Sequence, residues 1–360
     1  MSDDKYDEAA VREILADFKD PETGRNVIQL DQVRDIRLQN DQLSLVLALT
    51  THSAPLWEET RDELVQLLRE RLPGLKQIRA ELAVHSRPPE KLGEIGLTAK
   101  SVIAVGSGKG GVGKSTIAAC LALGLNRAGC EVGLMDADVY GPSIPHLLGA
   151  DERPAVHENR ISPIESNGLK VMSMGFLVPP GEAVVWRGPM LHGAITQFLR
   201  DTIWGSLDYL IIDLPPGTGD IALTLSQLLP LTGAVVVCTP QDVALLDATR
   251  AIAMFRKVNI PVLGMVENMS HFTCTQCGAR HDIFGSGGAR RRAEQLEVPF
   301  LSEVPINLQI RIRGDEGKLS NLFDDETAAP YLVALVRNLV RNLADKRRDK
   351  PPLPSLSILK

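Results

Sequence analysis

The sequence predicts an α/β protein in which a small N-terminal α+β domain precedes a doubly wound, mostly parallel sheet. Three observations carry this. After about residue 100, short apolar runs alternate with helical patterns, which is how buried parallel strands joined by crossover helices read. Before residue 86, one apolar run, LSLVLALT, lies between two amphipathic patterns. Between the two regimes, SRPPEKLGEIGLTA at 86–99 has the Pro pair and glycines of a linker. The expected division is a domain over 1–86, a linker over 87–99, a second domain over 100–348 and a flexible, Pro-rich tail over 349–360.

In the first domain, Glu8 to Phe18 reads as a helix stopped by Asp20-Pro21, Leu43 to Thr50 as a strand, and Glu58 to Arg71 as a second helix. In the second, strands are expected at Val102 to Val105, Val132 to Met135, Tyr209 to Ile212, Ala234 to Cys238 and Val262 to Val266. A helix follows each, and ligands of such a sheet lie beyond the carboxyl ends of its strands. From Pro330 to Arg348, Leu332, Val333, Leu335, Val336, Leu339, Val340 and Leu343 form an apolar stripe that packs on the sheet or lands on a membrane.

Composition narrows the function classes. With 360 residues, 44% hydrophobic and 23% charged, the chain has the make-up of an ordinary globular protein. No apolar run reaches eighteen residues, so no spanning helix and no membrane partner are expected. The acidic start MSDDKYDEAA is unlike a secretory or mitochondrial leader, so a cytoplasmic location is expected. Five cysteines are too few and too scattered for a disulfide framework, which suits a reducing compartment. A net charge of -6 argues against wrapping nucleic acid.

The segment VIAVGSGKGGVGKST, 102–116, runs from a strand through a glycine-rich loop into the helical pattern of Ile117 to Arg127. Gly108, Gly113, Lys114 and Ser115 fit G-x-x-x-x-G-K-[ST], with Gly110, Gly111 and Val112 between them and Thr116 after. Glycines let the loop turn its N-H groups inward around phosphate oxygens, and the helix start adds further donors. Lys114 then reaches the terminal phosphates and Ser115 holds Mg²⁺. Lys109 is either a solvated loop lysine or a cation offered to the nucleotide of a facing subunit, which implies a dimer.

Two strands end in acids. YLIID closes on Asp213 before Leu214-Pro215-Pro216-Gly217, the place of an acid that holds Mg²⁺ through water. Val132 to Met135 runs into Asp136-Ala137-Asp138, either acid of which can orient an attacking water; helix capping is the alternative use for any one of them. Asn268, in Val266-Glu267-Asn268, offers an amide to a base edge.

Cys120, Cys130 and Cys238 sit in or beside apolar patterns and read as core residues. Cys274 and Cys277 form CTQC in a polar stretch. Two thiolates grip one metal centre, but tetrahedral zinc and four-iron clusters ordinarily take four ligands, and there is no second pair. A twofold axis through this loop would bring two pairs together. Zinc, an iron-sulfur cluster and two free thiols all fit, as does a mononuclear zinc site completed by His271 and His281.

These residues together resemble the deviant phosphate-loop ATPases related to MinD, and within them the Mrp/ApbC family of iron-sulfur cluster carriers. The resemblance covers most of 99–345 and rests on GKGGVGKST, DADVYGPS, DLPPGTGD, TPQDVAL and ENMSHFTCTQCG. It implies a homodimer in which Lys109 acts across the interface, Asp138 orients water, Asp213 is the Mg²⁺-associated acid and Asn268 contacts the base. It further implies ATP and Mg²⁺ as ligands, slow ATP hydrolysis, a labile [4Fe-4S] cluster bridged by Cys274 and Cys277, and transfer to apo-protein clients. The first domain, with DPETGRNVIQLDQVRDI at 20–36, resembles the cluster-assembly domain often fused to this ATPase. Where that domain shows a cysteine before a proline, this chain has Thr51-His52-Ser53-Ala54-Pro55, so a docking or dimer-supporting role is expected of it. A positioning ATPase acting on membrane or DNA, and a zinc-bridged ATPase dimer, are the competing readings.

Overall fold

A computed structural model describes residues 6–177, 188–217 and 219–348. The chain divides into two compact units, one of 1–87 with 340–360 and one of 88–339. The expected tail, 349–360, lies outside the described residues.

In the N-terminal unit, α1 (Glu8–Leu15), β1 (Val33–Gln39), β2 (Gln42–Leu49), α2 (Trp57–Arg71) and β3 (Gln77–Val84) include the expected helix, strand and helix as α1, β2 and α2, with β1 and β3 as the strands beside β2. The β2 strand pairs antiparallel with β1 and parallel with β3. Asp7 caps α1 by accepting from the Ala10 N-H at 2.8 Å. In α2, Glu58 and Glu59 lie in the first turn and Arg69 and Arg71 in the last, matching the helix dipole. Its Leu64 and Leu68, one turn apart, are fully buried against Leu43, Leu45, Leu47 and Leu49; each such leucine contributes about 1.5–3 kcal/mol. The end of the C-terminal helix belongs to this unit, because Arg341 pairs with Glu59 at 2.6 Å and Arg347 donates to the Glu22 carbonyl at 2.6 Å.

The larger unit begins inside the expected linker. There β4 (Lys91–Leu92) folds back antiparallel on β5 (Leu97–Gly106). Next come α3 (Lys114–Arg127), β6 (Val132–Asp136), α4 (Ile144–Leu148), a hairpin of β7 (Val156–His157) and β8 (Arg160–Ile161), β9 (Ile164–Ser166), β10 (Leu169–Ser173) and α5 (Gly188–Asp201). Then follow β11 (Leu207–Asp213), α6 (Gly219–Leu228), β12 (Gly233–Cys238), α7 (Asp242–Lys257), β13 (Val262–Thr273), β14 (Arg280–His281), α8 (Gly288–Gln295), β15 (Phe300–Ile306), α9 (Leu308–Asp315) and α10 (Ala329–Arg348).

The sheet order is β14-β13-β12-β5-β11-β6-β10-β9, with β15 also on β13. All central pairings are parallel, whereas β4, β9 and β14 run antiparallel at the margins. From β5 the chain crosses to β6 on one side and, after returning to β11, reaches β12 on the other. The loop after β5 therefore lies where the winding reverses, the crevice in which open α/β sheets bind ligands. The stripe of α10 is buried at Leu332, Leu335, Val336, Leu339, Val340 and Leu343, so it packs inward rather than forming a membrane-landing face. Among the described residues no helix is long and apolar enough to cross a membrane.

Candidate functional site

The phosphate loop connects β5 to α3. Gly113 is the N-cap of α3 with φ +80°, a left-handed conformation that suits glycine. A Cβ there would also overlap the Asn268 amide. At Gly108 a Cβ would collide with the main chain of Asp247 in α7, so this glycine permits a close approach of backbones. Lys114, Ser115 and Thr116 form the first turn of α3, where N-H groups have no intrahelical acceptor and favour an anion. Gly110 and Gly111 are exposed at the loop crest, and Val112 is buried beneath it.

Lys114 is almost wholly buried. Its Nζ donates to Asp213 Oδ1 at 2.6 Å and to Ser115 Oγ at 3.2 Å, and lies 3.6 Å from Asp138 Oδ2. Burial pushes the Asp213 carboxyl above the ordinary carboxylate range, while Lys114 opposes that rise. Asp213 Oδ2 is buried without a hydrogen-bond partner. An orphaned carboxylate oxygen near the Ser115 hydroxyl is a hard oxygen set that fits Mg²⁺, held directly or through water.

The two acids after β6 do different things. Asp138 accepts from the N-H groups of Tyr140 and Gly141 through Oδ1, leaving Oδ2 on the Lys114 side. Asp136 is fully buried and accepts from the Asp138 N-H at 3.1 Å, the Ile144 N-H at 3.2 Å and Ser173 Oγ at 3.0 Å. Desolvation and the neighbouring Asp213 charge push its carboxyl up to about 7. Asp136 is therefore a brace for the 138–144 turn, not a group open to water, which corrects the expectation that either acid serves there.

Lys109 is half-buried, and among the described residues it pairs with no carboxylate. The Ser107 hydroxyl donates to its carbonyl at 2.9 Å, fixing the loop from which it projects. Asn268 is buried, and its Nδ2 donates to the Val112 carbonyl at 2.9 Å, so the amide braces the phosphate loop. Glu267, which sequence reading left without a role, accepts from the N-H groups of Gly287 at 3.1 Å and Ala289 at 2.6 Å and caps α8. A glutamate directly after the apolar run Val262 to Val266 was the available signal.

Cys274 and Cys277 occupy the turn between β13 and β14. The strands close through Phe272 opposite His281 and Thr273 opposite Arg280, and Gly278, at φ +71°, donates its N-H to the Cys274 carbonyl at 2.9 Å. The neighbouring N-H groups of Gln276 and Cys277 hold the Cys274 thiol below the ordinary range. Cys277 is exposed and Cys274 half-buried. By contrast, burial pushes the Cys120 and Cys238 thiols up to about 12, as suits core residues, and Cys130 is buried too. No group of three metal-ligating side chains converges among the described residues. His271 is buried, with Nδ1 at 2.9 Å from Ser270 Oγ, and His281 is an exposed strand residue, so the mononuclear zinc alternative loses its histidines.

In the N-terminal unit, Thr51–Leu56 forms a short 3-10 turn. Beside it the buried Glu22 carboxylate accepts from Thr50 Oγ1 and from Arg87. The turn carries Ala54, not a thiol, before Pro55.

Comparison with known proteins agrees with this geometry. The family described as NUBPL iron-transfer P-loop NTPase matches residues 98–342, and that described as iron-sulfur cluster assembly protein matches 8–82. An iron-sulfur cluster carrier protein of Deinococcus radiodurans is 45% identical over 352 residues, covering 96% of this chain and 99% of the relative. That of Escherichia coli K12 is 46% identical over 318 residues, covering 86% and 85%. A nucleotide-binding protein of Archaeoglobus fulgidus, solved with ADP, is 40% identical with a TM-score of 0.56 over 64% of this chain and 92% of its own. The cell division ATPase MinD of Pyrococcus furiosus, 22% identical with a TM-score of 0.50 over 66% of this chain and 98% of its own, shares the fold. With a buried lysine-acid site at the switch point and matches along nearly its whole length, the chain belongs to the Mrp/ApbC-type family of iron-sulfur cluster carriers, P-loop ATPases with an N-terminal cluster-assembly domain.

Proposed function

We propose that the protein binds and hydrolyses ATP, holds a labile [4Fe-4S] cluster between two copies of the chain and passes it to apo-protein clients. The observation that carries the reading is the Cys274–Cys277 turn. It presents two accessible thiols, one of them with lowered pKa, and no third ligand converges on it among the described residues. Four thiolates therefore come from two copies. The face that carries the phosphate loop also carries exposed apolar side chains: Tyr140 follows β6, Leu223 lies in α6, and Val243 and Leu246 open α7. These elements follow carboxyl ends of the central strands, so a second copy meeting this face covers them and brings its Lys109 toward the nucleotide.

In the ATPase step, Lys114 and the N-H groups of 113–116 hold the phosphates, and Ser115 with Asp213 holds Mg²⁺, which screens phosphate charge. Asp138 orients the attacking water, and Lys109 of the facing copy neutralises charge that builds on the transferred phosphoryl group. Asn268 holds the loop and stands at the base side. Nucleotide occupancy selects between arrangements of the two copies, which requires different affinities in the two. The N-terminal unit, lacking the thiol, serves in docking or in supporting the dimer.

Anaerobic reconstitution, absorbance near 400 nm and iron and sulfide counts test the cargo. Loss of the cluster in Cys274→Ala/Cys277→Ala supports the assignment, and unchanged cluster content overturns it. Zinc in place of iron in oxygen-free preparations would establish the zinc-bridged dimer instead.

A further inference from the structure

The strand that braces the phosphate loop is the strand that ends at the cysteine turn. Asn268 and Met269 both lie against Gly113: the Asn268 amide donates to the Val112 carbonyl, and Met269 Cε is 3.9 Å from the position a Gly113 Cβ would take. Met269 is in the left-handed region at φ +56°, an uncommon conformation for a residue with an unbranched side chain inside a strand. There β13 bulges: Asn268 faces Val304 and Phe272 faces Ile306, so four steps along β13 match two along β15. Within the bulge, His271 is held between Ser270 Oγ and, at 3.4 Å, the Tyr331 hydroxyl. Phe272, Thr273 and Cys274 follow directly.

We infer that Asn268 and Met269 are positioning residues that make the Cys274–Cys277 turn respond to occupancy of the phosphate loop. The physical reason is local. A loop that closes on phosphates moves the Val112 carbonyl and Gly113, and the two side chains resting on them belong to an irregular stretch of strand. A bulge has an unpaired residue and changes its arrangement at lower cost than a regular ladder does. Upstream, the Glu267 carboxylate ties the strand to α8, so displacement is directed toward the six-residue path to Cys274. His271 against Tyr331 is the pivot on that path.

This inference rests on the nucleotide reading but not on the cluster, and its test uses neither iron nor turnover. The full-length reduced protein is alkylated with iodoacetamide, with and without Mg²⁺ and a non-hydrolysable ATP analogue. Rates at Cys274 and Cys277 are read by mass spectrometry, while nucleotide binding and sedimentation are measured in parallel. In the wild type, saturating nucleotide changes the Cys274 rate by about fivefold or more, the lower end for coupled sites. In Met269→Gly, which accepts the left-handed backbone, the rate is the same with and without nucleotide, although the variant is saturated and sediments as the wild type does; Asn268→Ala, which loses a phosphate-loop brace, is saturated at a higher nucleotide concentration and then shows the same loss of response. An unchanged rate in saturated wild type overturns the inference, as does a full wild-type change in both variants. Failure of the wild type to bind nucleotide would instead overturn the nucleotide reading, and this inference with it.

Discussion

Replacing Lys114 by Met removes the ammonium and keeps most of the stem, so the variant isolates one charge. That ammonium is 2.6 Å from Asp213 and 3.6 Å from Asp138, and both Lys114 and Asp213 are buried. Without it Asp213 faces Asp136 in a low-dielectric interior with only hydroxyl support. Removing one member of such a pair costs about 3–5 kcal/mol. With a urea m-value of about 3 kcal/mol/M, the midpoint at pH 8 falls by about 1 to 1.7 M. The pH dependence has a definite sign. The Asp213 carboxyl already lies above the ordinary range in the folded chain, and losing Lys114 raises it further. The folded state then binds more protons than the unfolded state between the ordinary and the raised values, so the deficit shrinks as pH falls. Urea unfolding is followed by Trp204, buried in the larger unit, with Trp57 and Trp186 replaced by Phe. In Lys114→Met/Asp213→Asn most of the loss is recovered. An unmoved midpoint at pH 8, or a deficit that grows on acidification, refutes the reasoning.

Other perturbations have equally definite outcomes. Asp136→Asn leaves the Ile144 N-H facing an amide, costing about 1–3 kcal/mol at pH 5.5. Because the Asp136 carboxyl titrates at about 7, wild-type stability falls as pH rises toward that value, and the variant's deficit closes by pH 8.5 in the same denaturation assay. Gly113→Ala places a side chain at φ +80° against Asn268, and both the strain, about 1–2 kcal/mol, and a raised Kd for ATP are expected by calorimetry. Lys109→Ala retains ATP binding but loses about 10²-fold or more in kcat, measured as phosphate release.

The five central strands were legible because burial on both faces makes each a continuous apolar run. The phosphate loop was legible because its glycines answer steric demands of the backbone, as the clash of any Cβ at Gly108 with Asp247 shows. The marginal strands were not read: β7 to β10 are two to five residues long, too short for a periodicity. Asn167-Gly168, at φ +52° and +79°, was the overlooked hairpin signal between β9 and β10. Composition at 87–99 suggested a linker, yet two of its residues pair as β4, since Pro and Gly mark a turn as well as a boundary. At the candidate site, residue types singled out Lys114, Asp213 and the cysteine pair. They could not distinguish Asp136 from Asp138, because the difference lies in which carboxylate the Ile144 N-H and Ser173 approach from distant parts of the chain. Nor could they show Asn268 bonded to Val112, a contact between residues 156 apart.

Sedimentation of the reconstituted protein under reducing, oxygen-free conditions, with absorbance recorded near 400 nm, tests the sharing of one cluster by two copies most directly. The chromophore should travel with a species of twice the 39.2 kDa chain mass, and Cys274→Ala/Cys277→Ala should carry none. A full chromophore on a persistent monomer would contradict it.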